Sequence, residues 1–156
     1  MIQVSEIMSR NVLTIDLSEK VINAAKIMAE KKIGGLVVVD KYKPVGVITE
    51  SDLVRKVLSK NLDSSQVKVS DLLDRELISI ATNVTLYDAA NLMVKNKIRR
   101  LPVIQDGKLI GVVTILDLAK HIANYPQKTN LQKANLTEIV NYWFKREETR
   151  RNLGLS

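Results

Sequence analysis

The sequence contains no cysteine. That excludes a disulfide framework, thiolate metal sites, iron–sulfur clusters and cysteine nucleophiles. Its single histidine, His121, rules out a histidine metal cluster within one chain and argues against a Ser-His-Asp triad. Long hydrophobic runs are also missing. Stretches such as Leu36–Val39 fall far short of the roughly 18 apolar residues a membrane span needs. The start, Met1–Arg10, lacks the basic opening and apolar stretch of a secretory signal. These absences predict a soluble, cytoplasmic protein without membrane contact. Acidic residues are in deficit, 17 against 24 Lys and Arg, for a net charge of +7. The last 33 residues carry +3 of that excess (six basic, three acidic). Such a balance suits phosphate-bearing partners, from nucleotides to nucleic acid, without choosing among them.

What is present is a repeat. With 156 residues, 46% hydrophobic and 26% charged, the chain can bury a core in one or two small domains. A shift of 65 residues aligns 4–58 with 69–123 without a gap, with 17 identities in 55 positions. VSEIMSRNVLTI lies over VSDLLDRELISI, NAAKIMAEKKIGGLVVV over DAANLMVKNKIRRLPVI, and KPVGVITESDL over KLIGVVTILDL.

Each copy predicts the same elements. A short strand (Val12–Ile15, Leu77–Ile80) is followed by a helix with apolar residues at helical spacing. These are Val21, Ala24, Ala25 and Met28, matched by Leu86, Ala89, Ala90 and Met93. Small residues in that stripe allow close helix packing. Thr85 and Asp88 form a capping-box signature, and Lys31, Lys32, Lys95 and Lys97 suit helix C-termini. The apolar runs Leu36–Val39 and Leu101–Ile104 then pair with Val45–Ile48 and Ile110–Val113 through the turns DKYKP and QDGK. A final helix runs from Asp52 to about Leu58 and from Asp117 to about Ala123. One β-α-β-β-α unit is small for independent stability. The predicted fold is therefore α/β: two such repeats packed pseudo-symmetrically through their sheets, plus a C-terminal helix. The expected divisions are a first repeat at 1–60, a polar linker at 61–68, a second repeat at 69–123, and a tail at 124–156.

With these motifs in view, the sequence resembles a tandem pair of CBS domains, the regulatory modules named after cystathionine β-synthase. The most specific shared feature is Gly-apolar-x-Thr-x-x-Asp, present as GVITESD at 46–52 and GVVTILD at 111–117. The resemblance covers about residues 1–123. It implies a flat module with two clefts, and adenosine-containing ligands in them: AMP, ADP, ATP or S-adenosylmethionine. It also implies regulation of another protein rather than catalysis, with no required cofactor and frequent pairing of modules into homodimers.

The candidate site residues carry two readings. Thr49 with Asp52, and Thr114 with Asp117, have the spacing of a helix-capping box. The resemblance implies ligand binding at the same positions, with Thr on a phosphate, Asp on a ribose diol, and the helix N-terminus favouring anions. Gly46 and Gly111 would permit close approach of backbone and ligand. Arg99 and Arg100 are either a solvated strand entry or a phosphate fork, with Arg100 favoured slightly over Arg99. Their counterparts are Gly34 and Gly35, which makes two equal sites doubtful. Gly34 would instead admit a ligand or a neighbouring backbone. For an adenine slot the candidates are Thr14, Ile15, Leu36 and Ile48, and in the second copy Ser79, Ile80, Leu101 and Val113. The alternative for each is ordinary core packing. His121, without acidic or cysteine neighbours at ligand spacing, is read as structural or exposed, and no metal site is expected.

The tail predicts a helix opened by Asn135 and Glu138 and stopped near Gly154. Leu136, Ile139, Val140, Trp143 and Phe144 would cluster on one side of it, to dock on the chain's own module or on a dimer mate. Lys145, Arg146, Arg150 and Arg151 offer a second reading: a nucleic-acid-binding helix, with the repeats serving for dimerisation. Three glutamates weaken that reading. The leading expectation is a non-enzymatic sensor of adenosine ligands that signals to a separate, unidentified partner as a homodimer.

Overall fold

Two hairpins with matched turns organise the chain. In the computed structural model, which describes residues 1–124, 136–143 and 145, the first repeat holds β1 (Thr14–Asp16), α1 (Val21–Lys31), β2 (Gly35–Asp40), β3 (Lys43–Thr49) and α2 (Glu50–Lys56). The second holds α3 (Leu86–Asn96), β4 (Arg100–Gln105), β5 (Lys108–Thr114) and α4 (Ile115–Asn124). The turn residues Lys41 and Tyr42 have φ of 47° and 71°, and Asp106 and Gly107 have 50° and 75°. Positive φ at both central positions is what a type I′ hairpin turn requires, because its twist matches that of the strands. Asp-Gly meets that demand easily. Lys-Tyr does so against the preference of residues that carry a Cβ.

The first sheet has the order β1-β2-β3, with β1 parallel and β3 antiparallel to β2. Its register sets Ile15 beside Val38 and Leu36 beside Ile48. Among the described residues the second sheet has β4 and β5 as its strands. The strand expected at Leu77–Ile80 contracts to one parallel bridge, Ile80 with Val103. Ile80 donates to Pro102 and accepts from Ile104, and this is enough to hold it in place. In the first copy the strand begins at Thr14, two residues later than the apolar run suggests.

Both final helices start earlier than expected, at Glu50 and Ile115, because Thr49 and Thr114 stand just before the first helical turn. α2 ends at Lys56, and Leu58 falls in a separate short 3-10 turn, Leu58–Lys60. α1 and α3 both end on a lysine in the left-handed region, Lys32 and Lys97. The next N–H, from Ile33 or Ile98, returns to the carbonyl of Met28 or Met93 and closes the helix end.

The chain forms two compact units, and they do not follow the linear repeats. One comprises Met1–Arg10, Ser79–Gln105 and the chain from Ile110 onward; the other comprises Asn11–Ile78 with Asp106–Leu109. Each unit is completed by the segment that precedes the other repeat. Within the first-repeat unit, α1 has no side-chain cap, so its first N–H groups need acceptors from elsewhere. The carbonyl of Val67 accepts from Val21, and that of Ser64 from Ile22. The stretch expected as a linker therefore caps a helix. Val69 and Leu72 then enter the core formed by Ile15, Val21, Ala24, Met28, Leu36, Val38, Ile48 and Val57. In the other unit the matching roles fall to the N-terminal segment: Ile2 accepts from Leu86, and Val4 and Met8 are buried. Burial of side chains of this size stabilises by about 1.5–3 kcal/mol each, so both segments are structural parts of the core.

Residues 136–143 are helical, and Leu136, Val140 and Trp143 are buried at one-face spacing. This agrees with docking on the chain itself. Tyr142 and Trp143 meet edge-on with ring centroids 6.1 Å apart. Lys145 is exposed. Asn135, Phe144, Arg146, Arg150, Arg151 and Gly154 lie outside the described residues, as does the linker after Asn124.

Candidate ligand site

Each unit brings its Thr-x-x-Asp motif to the start of a helix, beside the residue just before the first strand of its hairpin. The carbonyl of Gly34 accepts the first N–H of α2 from Glu50 at 3.1 Å. In the second unit, Arg99 accepts from Ile115 of α4 at 2.9 Å. The positions that differ most between the copies, Gly34-Gly35 and Arg99-Arg100, thus stand at the same place relative to a helix N-terminus. Arg99 is exposed and Arg100 half-buried. The backbone of this arginine pair thus enters β4 beside the start of a ten-residue helix, and a helix N-terminus favours an oxyanion.

The capping reading of the motif is fully realised. Thr49 donates from its backbone N–H and its hydroxyl to Oδ2 of Asp52, at 2.9 and 3.0 Å, and Oγ1 accepts from the Asp52 N–H at 3.3 Å. Thr114 and Asp117 repeat this at 2.8, 2.7 and 3.3 Å. Thr85 accepts the Asp88 N–H, but the Asp88 carboxylate goes to the hydroxyl and leaves the reciprocal half unmade. One carboxylate oxygen in each ligand-motif pair is therefore committed to the cap. Capping and binding are compatible only through the other oxygen.

That other oxygen differs between the copies. Oδ1 of Asp52 lies 3.2 Å from Nζ of Lys56, one helical turn on, in the favourable acid-before-base order. Lys56 also meets Oδ2 of Asp74 at 2.8 Å and donates to the carbonyl of Leu72 at 2.8 Å. Burial alone would lower the Lys56 pKa, but hydrogen bonds and charge from Asp74 and Asp52 outweigh it, and the net shift is upward. The Lys56 hydrogen bond in turn pulls the Asp74 carboxyl below its ordinary value. In the second unit no described residue pairs with Oδ1 of Asp117. Lys56 lies outside the Thr-x-x-Asp motif itself. Its i,i+4 spacing from Asp52 was visible, whereas its pairing with Asp74 depends on how residues 57–73 fold.

The remaining candidates divide by depth. Ile15, Leu36 and Ile48 are core side chains, as are Ile80, Leu101 and Val113, all between 0 and 8% exposed. What they can offer a base is backbone. Thr14 is exposed on the edge strand β1, and Ser79 is half-buried. At Gly46 and Gly111 the space a Cβ would need is already occupied. Leu73 Cδ2 is 2.9 Å from that point at Gly46, and Met8 Sδ is 2.5 Å from it at Gly111. The glycines therefore have a packing reason of their own, set by the two core-completing segments. Among the described residues no three His, Asp or Glu side chains come together as metal ligands, and no helix is long and apolar enough to cross a membrane.

Comparison with known proteins agrees with this architecture. The CBS domain family matches residues 4–59 and 69–124. The chain belongs to the CBS-domain family, as a pair of such domains followed by a C-terminal helix. It is 39% identical over 119 residues to an uncharacterized protein of Methanopyrus kandleri, covering 75% of this chain and 61% of that protein. Against three curated relatives it spans 61%, 49% and 34% of their length. A CBS-domain protein from Burkholderia ambifaria superposes with a TM-score of 0.76 at 31% identity, covering 83% of this chain and 99% of that one. The CBS domain pair of protein MJ0100, solved with 5′-methylthioadenosine and S-adenosyl-L-methionine, gives a TM-score of 0.72 at 27% identity, covering 80% and 98%. CBS pairs are in general regulatory modules rather than catalytic ones.

Proposed function

We propose that this chain is a non-enzymatic, cytoplasmic regulatory module that binds an adenosine-containing ligand and passes its occupancy to a separate protein. The ligand class is AMP, ADP, ATP or S-adenosylmethionine, and the working form is a homodimer. One observation carries the reading: the uncommitted carboxylate oxygen of Asp117 stands on the same helix start as the Arg99-Arg100 pair. A diol acceptor beside a phosphate fork is the chemistry a ribose phosphate needs. The adenosine ligands on the MJ0100 pair support that class. Ligand binding would shift the population of conformations presented to the partner.

The test is a thermal-shift panel of AMP, ADP, ATP, S-adenosylmethionine and NAD on the full chain. A ligand at about 100 times its dissociation constant stabilises the fold by roughly 2.7 kcal/mol. For a chain of this size that is a rise of about 5–10 °C. A flat response to the whole panel at millimolar concentration, on protein shown to carry no nucleotide, refutes the reading.

A further inference from the structure

The two Thr-x-x-Asp motifs are equal in sequence and unequal in the fold. In the first-repeat unit the ammonium of Lys56 contacts Asp52 at 3.2 Å, Asp74 at 2.8 Å and the Leu72 carbonyl at 2.8 Å. All three of its hydrogens thus have acceptors. The Asp52 and Lys56 side chains are 24% and 25% exposed, so water competes for this pair only in part. Both Asp52 oxygens are then engaged, one in the cap and one by the cation. A ribose diol arriving there would have to displace an internal, already paired charge. At the 65-residue offset, Lys56 corresponds to His121 and Asp74 to Ser9, so the parts of this latch are not repeated. A second difference points the same way: the latched unit has Gly34-Gly35 where the other has Arg99-Arg100.

We infer that Lys56 is a built-in occupant of the first-repeat site, and that it confines adenosine-ligand binding to Asp117. This rests on the ligand reading above and adds its stoichiometry and the residue that sets it. Lys56 acts here as a specificity-determining residue, through Asp52 and Asp74, without touching the ligand in the second unit. The latch also ties α2 to residues 72–74, so opening the site and loosening that segment are one event.

Isothermal titration of the full chain with AMP, and separately with S-adenosylmethionine, tests this on the wild type, Asp52→Ala, Asp117→Ala, Lys56→Gln and the Lys56→Gln/Asp52→Ala double variant. The wild type is expected to bind one equivalent per chain. Asp117→Ala should weaken binding tenfold or more, and Asp52→Ala less than twofold. Lys56→Gln, which keeps a donor for Leu72 but removes the charge, should add a second equivalent that disappears in the double variant. Two equal equivalents in the wild type, equal losses at the two aspartates, or a single equivalent in folded Lys56→Gln would each overturn the latch while leaving the ligand reading intact. Should circular dichroism show Lys56→Gln unfolded, the wild-type stoichiometry and the aspartate contrast decide alone. No binding of either probe to any variant overturns both the reading and the latch.

Discussion

Ile115, the first residue of α4, donates its backbone N–H to the carbonyl of Arg99 at 2.9 Å. This bond fixes the entry to β4 against the helix start, so the arginine backbone is positioned by secondary structure rather than by a mobile loop. A backbone held in this way is what the bidentate phosphate contact proposed for Arg100 would require.

Arg100→Ala should therefore discriminate by phosphate. Affinity for AMP is expected to fall tenfold or more, while affinity for adenosine changes less than twofold, since only AMP presents the oxyanion. Paired calorimetric titrations measure both. Equal losses for the two ligands would assign Arg100 a structural role.

The two glycines of the Thr-x-x-Asp motifs should differ in tolerance. A Cβ at Gly111 would stand 2.5 Å from Met8 Sδ and 3.0 Å from the backbone oxygen of Ser9, whereas at Gly46 its nearest neighbours all belong to the Leu73 side chain, the first at 2.9 Å. Side chains can swing aside and backbone cannot. Gly111→Ala is expected to cost about 1–3 kcal/mol, and Gly46→Ala less. Urea unfolding of the two variants gives the comparison, and a larger loss for Gly46→Ala would contradict it.

The Lys41-Tyr42 turn is an opportunity for stabilisation. Both residues sit at positive φ, and Tyr42 is 96% exposed, so its ring contributes little packing. Each such residue costs about 1–2 kcal/mol relative to one suited to that region. Replacing the pair by Asn-Gly should raise stability by about 1 kcal/mol after the added chain entropy of glycine, or roughly 2–4 °C in Tm. A lower Tm would mean that the turn residues make a contribution beyond their backbone shape.

Lys56 and Asp74 predict a pH signature. The Asp74 pKa is depressed below 3.8, so its contribution to stability is present above that value and is lost as pH falls through the folded pKa. The Lys56 pKa is raised above 10.5, so its contribution holds below that value and is lost as pH rises through the folded one. The difference in Tm between wild type and Lys56→Gln should be flat from about pH 5 to about pH 9 and shrink at both extremes. A difference that grows on acidification would have the wrong sign and would dismiss the ion pair as its source.

Much of the repeat architecture follows from local pattern. The spacing Val21, Ala24, Met28 makes a helix face, the runs at Leu36–Val39 and Leu101–Ile104 make buried strands, and Thr-x-x-Asp makes a cap. In each case residues within one helical turn or one strand supply the physical cause. Leu77–Ile80 shows the limit of that logic: its apolar run resembles Val12–Ile15, yet only Ile80 finds a ladder partner. Strand formation depends on a neighbour as well as on propensity.

What the sequence alone could not decide is which copy completes which core. Val4 and Val69 are identical, and Met8 and Leu73 are both apolar, so either segment fits either repeat by pattern. Only the folded chain puts Met8 against Gly111 and Leu73 against Gly46. The same holds for Lys56 and Asp74, 18 positions apart, whose pairing depends on how the intervening segment docks. Periodicity encodes which face of an element is buried. The partner that buries it, and the charge that answers another charge across a loop, are chosen by tertiary packing, where distance along the chain carries no signal.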